Sequence, residues 1–419
     1  MKPSVLPSQA GSHETISWQS SPRLLLATVY FIYFFCGLTQ CFESVFLPEF
    51  KEYFHLNYQQ QMYTMFAKNI PFLLAAAIGY AIRYTGYKNC MTVAMALFAA
   101  GTLLLIPGLR SGSYALVLLG FFLIGLGFNC EIVAGNPMLS ALGPVQEGSS
   151  RLNLGNALGA VAQIIAPAAL SIIIPASVVT AQARLPYMEG LFLVLGAVLA
   201  VVSVVTLLLR DVDVRRSFQI AAVQARGRWF PPGVLMGFVA IFLTLGVEAG
   251  LFGFFRNFAE DPAIAGFTAR QSQMAFTLYL AVFALGRLLA SRLQRRMDPV
   301  VHLLIYLAGA VLCLLVMILA KGVWAVAALM ALGFFVSIFF PTLYALAIEN
   351  QGERTGQISG LLTMGFVGCS VIPVVQGKLA DSIGLQYSYV LGFGAYGFAA
   401  VHALRLLGQR RSRRTEVTA

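Results

Sequence analysis

Apolar runs follow one another from Leu24 to Leu407 with only short polar interruptions. Stretches such as 24-LLLATVYFIYFFCGLTQCF-42, 191-LFLVLGAVLAVVSVVTLLL-209 and 303-LLIYLAGAVLCLLVMILA-320 are each about long enough to cross a ~30 Å hydrocarbon core as a helix. Backbone in lipid must satisfy its own hydrogen bonds, so a spanning chain is helical or forms a closed barrel. Strict alternation of apolar and polar residues, the mark of a barrel strand, is absent. The pattern predicts an all-α membrane protein with twelve transmembrane helices, beginning near residues 24, 60, 90, 114, 154, 187, 233, 272, 300, 324, 357 and 387.

Hydrophobic residues make up 58% of the chain and charged residues 11%, which excludes a soluble core of this length. A net charge of +11 could mark a nucleic-acid face, but the basic residues are divided among short loops. The lipid bilayer, not nucleic acid, is therefore the expected partner. With the N-terminus inside, most of the 28 Lys and Arg residues fall on the cytoplasmic side, including the clusters at 210–228 and 405–414. The positive-inside rule then puts both termini in the cytoplasm of a multi-pass plasma-membrane protein, in a bacterium the inner membrane. The first 22 residues lack the short apolar core of a cleavable signal peptide, so the first span serves as its own signal. The six cysteines lie in or beside apolar spans without CxxC spacing, indicating neither disulfides nor a metal site. Trp18, Trp229 and Trp324 stand near span starts, where an amphipathic ring suits the headgroup layer.

The longest interior polar stretch, 210–232, divides the spans six and six. The expected organisation is a tail at 1–22, a six-helix half at 23–209, a linker at 210–232, a second half at 233–407 and a basic tail at 408–419. A weak internal echo relates 125-GLGFNCEIVAGNPMLSALGPVQEGSSR-151 to 332-LGFFVSIFFPTLYALAIENQGERTG-356. Parallel six-helix repeats place a substrate between the halves near mid-membrane.

In this arrangement the chain resembles the major facilitator superfamily, and within it the sugar–proton symporters typified by the fucose permease. The resemblance is carried by 41-CFESVFLPEFK-51, by 135-GNPMLSALGP-144 followed by 151-RLNLGNALGA-160, and by 333-GFFVSIFFPTLYALAIENQG-352 with 359-SGLLTMGFVGCSVIP-373. More loosely, 246-GVEAGLFGFFRNF-258 and 285-LGRLLASRL-293 agree with the seventh helix and the turn after the eighth. The resemblance implies a major facilitator fold of two pseudo-symmetric halves and import of a monosaccharide, a hexose, deoxyhexose or derivative, by proton symport through alternating access.

The departures bear on the site. The family's first-helix acid lies four residues before the proline, whereas Glu43 lies five before Pro48 and Ser44 takes the usual place. Glu131 likewise precedes Asn136 by five residues, leaving Ile132 at the expected position. One residue turns a side chain by ~100° on a helix. Asn156 matches a family Gln thought to contact sugar, and Gly159 replaces the Asn of the next turn. In 79-GYAIRYTGYK-88, Arg83 stands where an Asp is usual.

A carboxylate at mid-membrane costs ~2.5–3.5 kcal/mol, so such groups are paired, protonated or line water. Glu131 reads as a proton or substrate group, or else as a structural partner of Lys68 or of a backbone donor. Glu43 lies ~8 Å below Pro48, and Glu131 lies ~25 Å inward from Tyr114. Two acids at different depths suit a proton relay. Lys68 is foreign to the family pattern; it snorkels or pairs with Glu43, or it meets an anionic substrate. Glu248, Asn69, Asn136, Asn156 and Gln163 are candidate substrate ligands, with helix-packing hydrogen bonds as the alternative. Tyr279, Tyr344 and Phe340 could stack on a pyranose ring or simply pack. The glycines in 120–128 and 392–400 would let helices approach closely.

No phosphate loop, metal-ligand set or Ser/His/Asp arrangement stands out, so neither an enzyme nor an ATP-driven pump is expected. No cofactor is expected either; the coupling ion is read as H+ and the carrier as a monomer. Two other classes share these features: an exporter or antiporter of an amphipathic or anionic compound, and a non-transporting membrane sensor.

Overall fold

The computed structural model of the protein describes residues 22–142, 148–175, 178, 180–209, 231–294, 297–349, 358 and 361–418. The expected N-terminal tail and nearly all of the central linker lie outside them. Among the described residues every regular element is a helix. Ten are long and apolar enough to cross a membrane. In the fifth span, helix Gly148–Ile173, the apolar stretch is shorter, Leu154–Leu170. The second is broken into Tyr63–Asn69, a 3-10 turn Ile70–Leu74 and Ala75–Thr85. These complete the twelve spans that the apolar pattern predicts.

The two halves repeat the same packing. In the first, Pro22–Tyr53 lies against Gly148–Ile173, and Tyr87–Arg110 lies against both Tyr114–Ala141 and Ala181–Leu208. In the second, Pro232–Glu260 lies against Gly368–Ile383, and Pro299–Leu319 lies against both Val323–Val336 and Leu391–Thr418. Each half thus pairs its first span with its fifth, and its third with its fourth and sixth. Between halves the second span meets the eleventh and the fifth meets the eighth, which is the same relationship taken in both directions. The internal echo falls on the fourth and tenth spans. The fourth is continuous through Pro137, whereas the tenth is interrupted between Val336 and Phe339, two residues before Pro341.

Close approach rests on a few glycines. A Cβ on Gly37 would collide with the Gly159 carbonyl, and one on Gly125 with the Lys68 carbonyl, so the first and fifth spans, and the second and fourth, touch backbone to backbone. The expectation for 392–400 holds only in part: a Cβ on Gly392 would reach Leu314 at 2.8 Å, but on Gly394 or Gly397 it would meet nothing within 4 Å. Those two glycines stand in open space, because the last helix turns that side away from the bundle. The same helix continues to Thr418, through the segment expected as a tail. Arg410 there bonds Asp298 at 3.0 Å and also pairs with Glu349. Trp324 is 76% exposed at the start of the tenth span; Trp18 and Trp229 lie outside the described residues.

Candidate substrate cavity

The second span presents its polar residues at a local break. Pro71 lacks an N–H and its ring crowds the preceding turn, and the chain winds as a 3-10 helix over Ile70–Leu74. Side chains take up backbone groups around it: Asn69 Nδ2 donates to Met65 O at 2.9 Å, and Asn129 Nδ2 of the fourth span donates to Pro71 O at 2.6 Å. Lys68 and Asn69 stand just before this break, both buried. The eleventh span carries its own 3-10 turn, Met364–Val367, and Phe72 stacks on Phe366 across the halves at 5.2 Å between ring centroids.

Between the halves lies a cavity of about 240 Å³, near the small end of ligand sites. Its two walls mix polar and apolar groups in different proportions. The first half contributes Gln40, Ser44, Lys68, Asn69 and Gln163, with Cys41, Met65 and Phe128 between them. The second contributes the rings of Phe252, Phe276, Phe283 and Phe366, with Glu248 and Arg287 among them. Arg287 Nε donates to Ser337 O at 3.0 Å, and its guanidinium carbon lies 4.7 Å from the Phe283 ring centroid. A ligand with hydroxyls on one side and a C–H face on the other matches this division.

On the face away from the chain termini, buried charges seal the cavity. Glu49 of the first span accepts from Arg184 of the sixth at 2.5 Å and from Arg256 of the seventh. Arg256 also bonds Glu260 at 2.7 Å and the Val45 carbonyl. Nearby, Asp381 of the eleventh span accepts from the Tyr58 and Gln59 N–H groups at 2.8 and 3.0 Å, and Gln61 Nε2 donates to Asn257 at 2.7 Å. Toward the termini, the Phe72–Phe366 stack joins the halves below Lys68 and Asn69. Arg287, which also lines the cavity, and Asn156 are exposed. Asn156 lies two turns from Gln163 on one helix face, opposite the exposed Val161 and Ile165.

The predicted site residues separate into groups. Lys68, Asn69, Gln163 and Glu248 line the cavity. Glu43 does not: its side chain has no exposure and is ion-paired to Lys68, whose side chain is 9% exposed. Ser44 occupies the cavity wall instead, as the one-residue shift in register requires. Glu131 is likewise buried in the first half, with Oε1 unpartnered. It interacts with the Tyr33 hydroxyl, which donates to Asn136 Oδ1 at 2.7 Å. Asn136 is therefore engaged inside the half and does not line the cavity. Since Tyr33 lies ten residues before Glu43 on one helix, the two acids differ in depth by ~15 Å.

Tyr279 and Tyr344 also fall outside the cavity. Tyr279 is fully buried behind it, in ring contact with Phe252, Phe255, Phe276 and Phe283. Tyr344 leans on Phe340, which packs on Phe366. Gln40 and Arg287 were not among the expected ligands. The Gly-Arg turn was visible in the sequence, but the direction of its side chain was not.

The profile of the Major Facilitator Superfamily matches residues 29–371 and 237–419. The chain belongs to that superfamily, and it is a multi-pass membrane transporter, not an enzyme. It is 27% identical over 403 residues to a glucose/galactose transporter of Brucella abortus, covering 95% of this chain and 98% of the relative. It is 26% identical over 393 residues to the L-fucose-proton symporter of Escherichia coli strain K12, covering 87% of each. A crystal structure of the E. coli fucose:proton symporter superimposes with a TM-score of 0.63 at 23% identity, over 92% of this chain and 99% of that one. A bacterial homologue of the human lysosomal transporter Spinster, in an inward-facing and occupied conformation, gives 0.68 at 16% identity, over 92% and 96%. These structural likenesses establish the fold.

Proposed function

We propose that the protein imports a neutral monosaccharide, a hexose or deoxyhexose, by proton symport across a bacterial inner membrane, with both termini in the cytoplasm. The observation that carries this reading is the two-walled cavity. Amides, a hydroxyl and an ammonium on one side suit sugar hydroxyls, as do Glu248 and Arg287 on the other, and the phenyl rings around those two suit the C–H face of a pyranose. The names of the relatives, which are sugar carriers and in part proton symporters, support the same reading.

Glu131 and Glu43 are the groups to which we assign the proton. Both are buried carboxylates in the half that carries the polar wall, and a carboxylate so placed can load and unload a proton as access alternates. The carrier needs no cofactor beyond this ion. Alternating access opens the charge seal around Glu49 and Arg256 for loading, then closes it so that sugar and proton leave toward the termini.

Binding to the purified protein, followed by thermal shift with D-glucose, D-galactose, L-fucose and D-glucuronate, tests the substrate class. Stabilisation by one or more neutral sugars is expected. Stabilisation by glucuronate alone would move the assignment to an acidic substrate, and no response to any of the four would remove it.

A further inference from the structure

Lys68 faces two ways. Its ammonium is paired with Glu43 and it also lines the cavity, while the Glu43 side chain is shut off from the cavity altogether. Behind Glu43 is a separate small void of about 10 Å³, bordered by Thr39, Thr102, Leu105, Phe121, Ile124, Phe192 and Leu195. Thr39 already donates to the Phe35 carbonyl at 2.8 Å. The Thr102 hydroxyl is buried and has no partner. Glu43 thus has a cation on its cavity side and an unused hydroxyl on the other.

Few other ionisable groups bear on this pair. Tyr114 of the fourth span interacts with Glu43, Cys41 of the first with Lys68, and Cys369 of the eleventh with both. Glu248 also acts on Cys369 from the seventh span. The third and sixth spans present only Thr102, Leu105, Phe192 and Leu195 to the void. On the cavity side Lys68 also faces Glu248 of the seventh span and Arg287 of the eighth, one charge of each sign; Glu43 is the carboxylate paired with it.

Resting on the sugar-symport reading, we propose that Lys68 is a substrate-binding donor whose availability is set by the protonation of Glu43. Ionised Glu43 holds the ammonium. When Glu43 binds a proton, the neutral carboxyl turns into the void and donates to Thr102, and Lys68 is released to donate to an oxygen of the sugar. Proton binding thus precedes tight sugar binding. When the sugar leaves, the ammonium returns to the carboxyl, Glu43 gives up the proton, and the pair is restored. An ammonium in a span without a partner is costly, so the protonated carrier without sugar is sparsely populated, which limits proton leak.

The test is sugar affinity against pH for the purified full-length protein, with D-glucose, D-galactose and L-fucose as probes. Wild type should bind about tenfold more weakly at about pH 8.5 than at about pH 5.5. Glu43→Gln, which cannot hold Lys68 as an ion pair, should bind at the higher pH as tightly as wild type at the lower, with a flat profile. Lys68→Met should lose about tenfold in affinity at the lower pH, and adding Glu43→Gln to it should change nothing more. A Glu43→Gln protein that keeps the wild-type pH dependence, or a Lys68→Met protein that binds as wild type, overturns the proposal. If Lys68→Met does not fold, the Glu43→Gln profile decides alone. Failure of wild type to bind all three sugars would instead count against the sugar reading itself.

Discussion

Arg256 on the seventh span closes on the Glu49 carboxylate of the first, with Nη1 2.9 and 2.7 Å from its two oxygens. The contact joins the two halves and is almost completely buried, with the Arg256 side chain 1% exposed and that of Glu49 4%. A guanidinium suits this place because its planar donor set also serves Glu260 and the Val45 carbonyl. The halves cannot part on this face without separating the ions.

Removing one partner of a buried ion pair leaves the other charge uncompensated, at a cost of about 3–5 kcal/mol. Glu49→Gln and Arg256→Met should therefore weaken the seal and favour the conformation open on the far face. Cys41 and Cys369 line the cavity and serve as native reporters. Labelling by a membrane-impermeant maleimide added from the far side should rise severalfold in either variant. Labelling no faster than in wild type would show that the network is structural and not a gate.

Glu131→Gln mimics the protonated side chain. It should abolish gradient-driven accumulation of sugar while sparing binding and exchange. Tyr33→Phe removes the hydroxyl shared by Asn136 and Glu131 and should give a milder coupling defect. Concentrative uptake by Glu131→Gln equal to wild type would exclude it as the coupling group.

Gly125→Val should lower the melting temperature and weaken sugar binding, because the new side chain drives the fourth span off the Lys68 carbonyl. Overpacking of this kind costs roughly 1–3 kcal/mol. Gly394→Ala has no neighbour to strike and should leave both properties unchanged or raise stability slightly. Equal effects from the two substitutions would mean that the close approach at Gly125 does not hold Lys68 in place.

Reporter fusions after Arg228 and after Arg414 test the orientation. Both should be active only with a cytoplasmic reporter. A periplasmic signal from either would reverse the direction assigned to the seal and the route inward.

The spans were legible in the sequence because lipid imposes length and apolarity on each helix separately. Which way a polar residue faces was legible only by register. Ser44 stood at the expected place of the acid and does line the cavity, while Glu43, one position away, is turned into the first half. The ion pair of Lys68 with Glu43 was one of the readings the sequence left open. By contrast, nothing local separated Gln163, which lines the cavity, from Asn136, which bonds Tyr33, because that depends on neighbouring helices. Pro71 was visible, but the 3-10 turn that it shares in depth with Met364–Val367 was not, since the second turn lies in a different half. The Arg256–Glu49 contact was hidden for the same reason: its residues lie far apart in the chain and meet only when the halves close.

Proton-coupled sugar import is tested most directly by labelled hexose uptake into proteoliposomes with an imposed pH gradient, acid outside. For molecules inserted in the cellular orientation, uptake should overshoot its equilibrium level and fall back to it when a protonophore is added, and sugar addition without a gradient should alkalinise a weakly buffered exterior. Uptake that proceeds equally with and without the gradient, and moves no protons, would contradict the account.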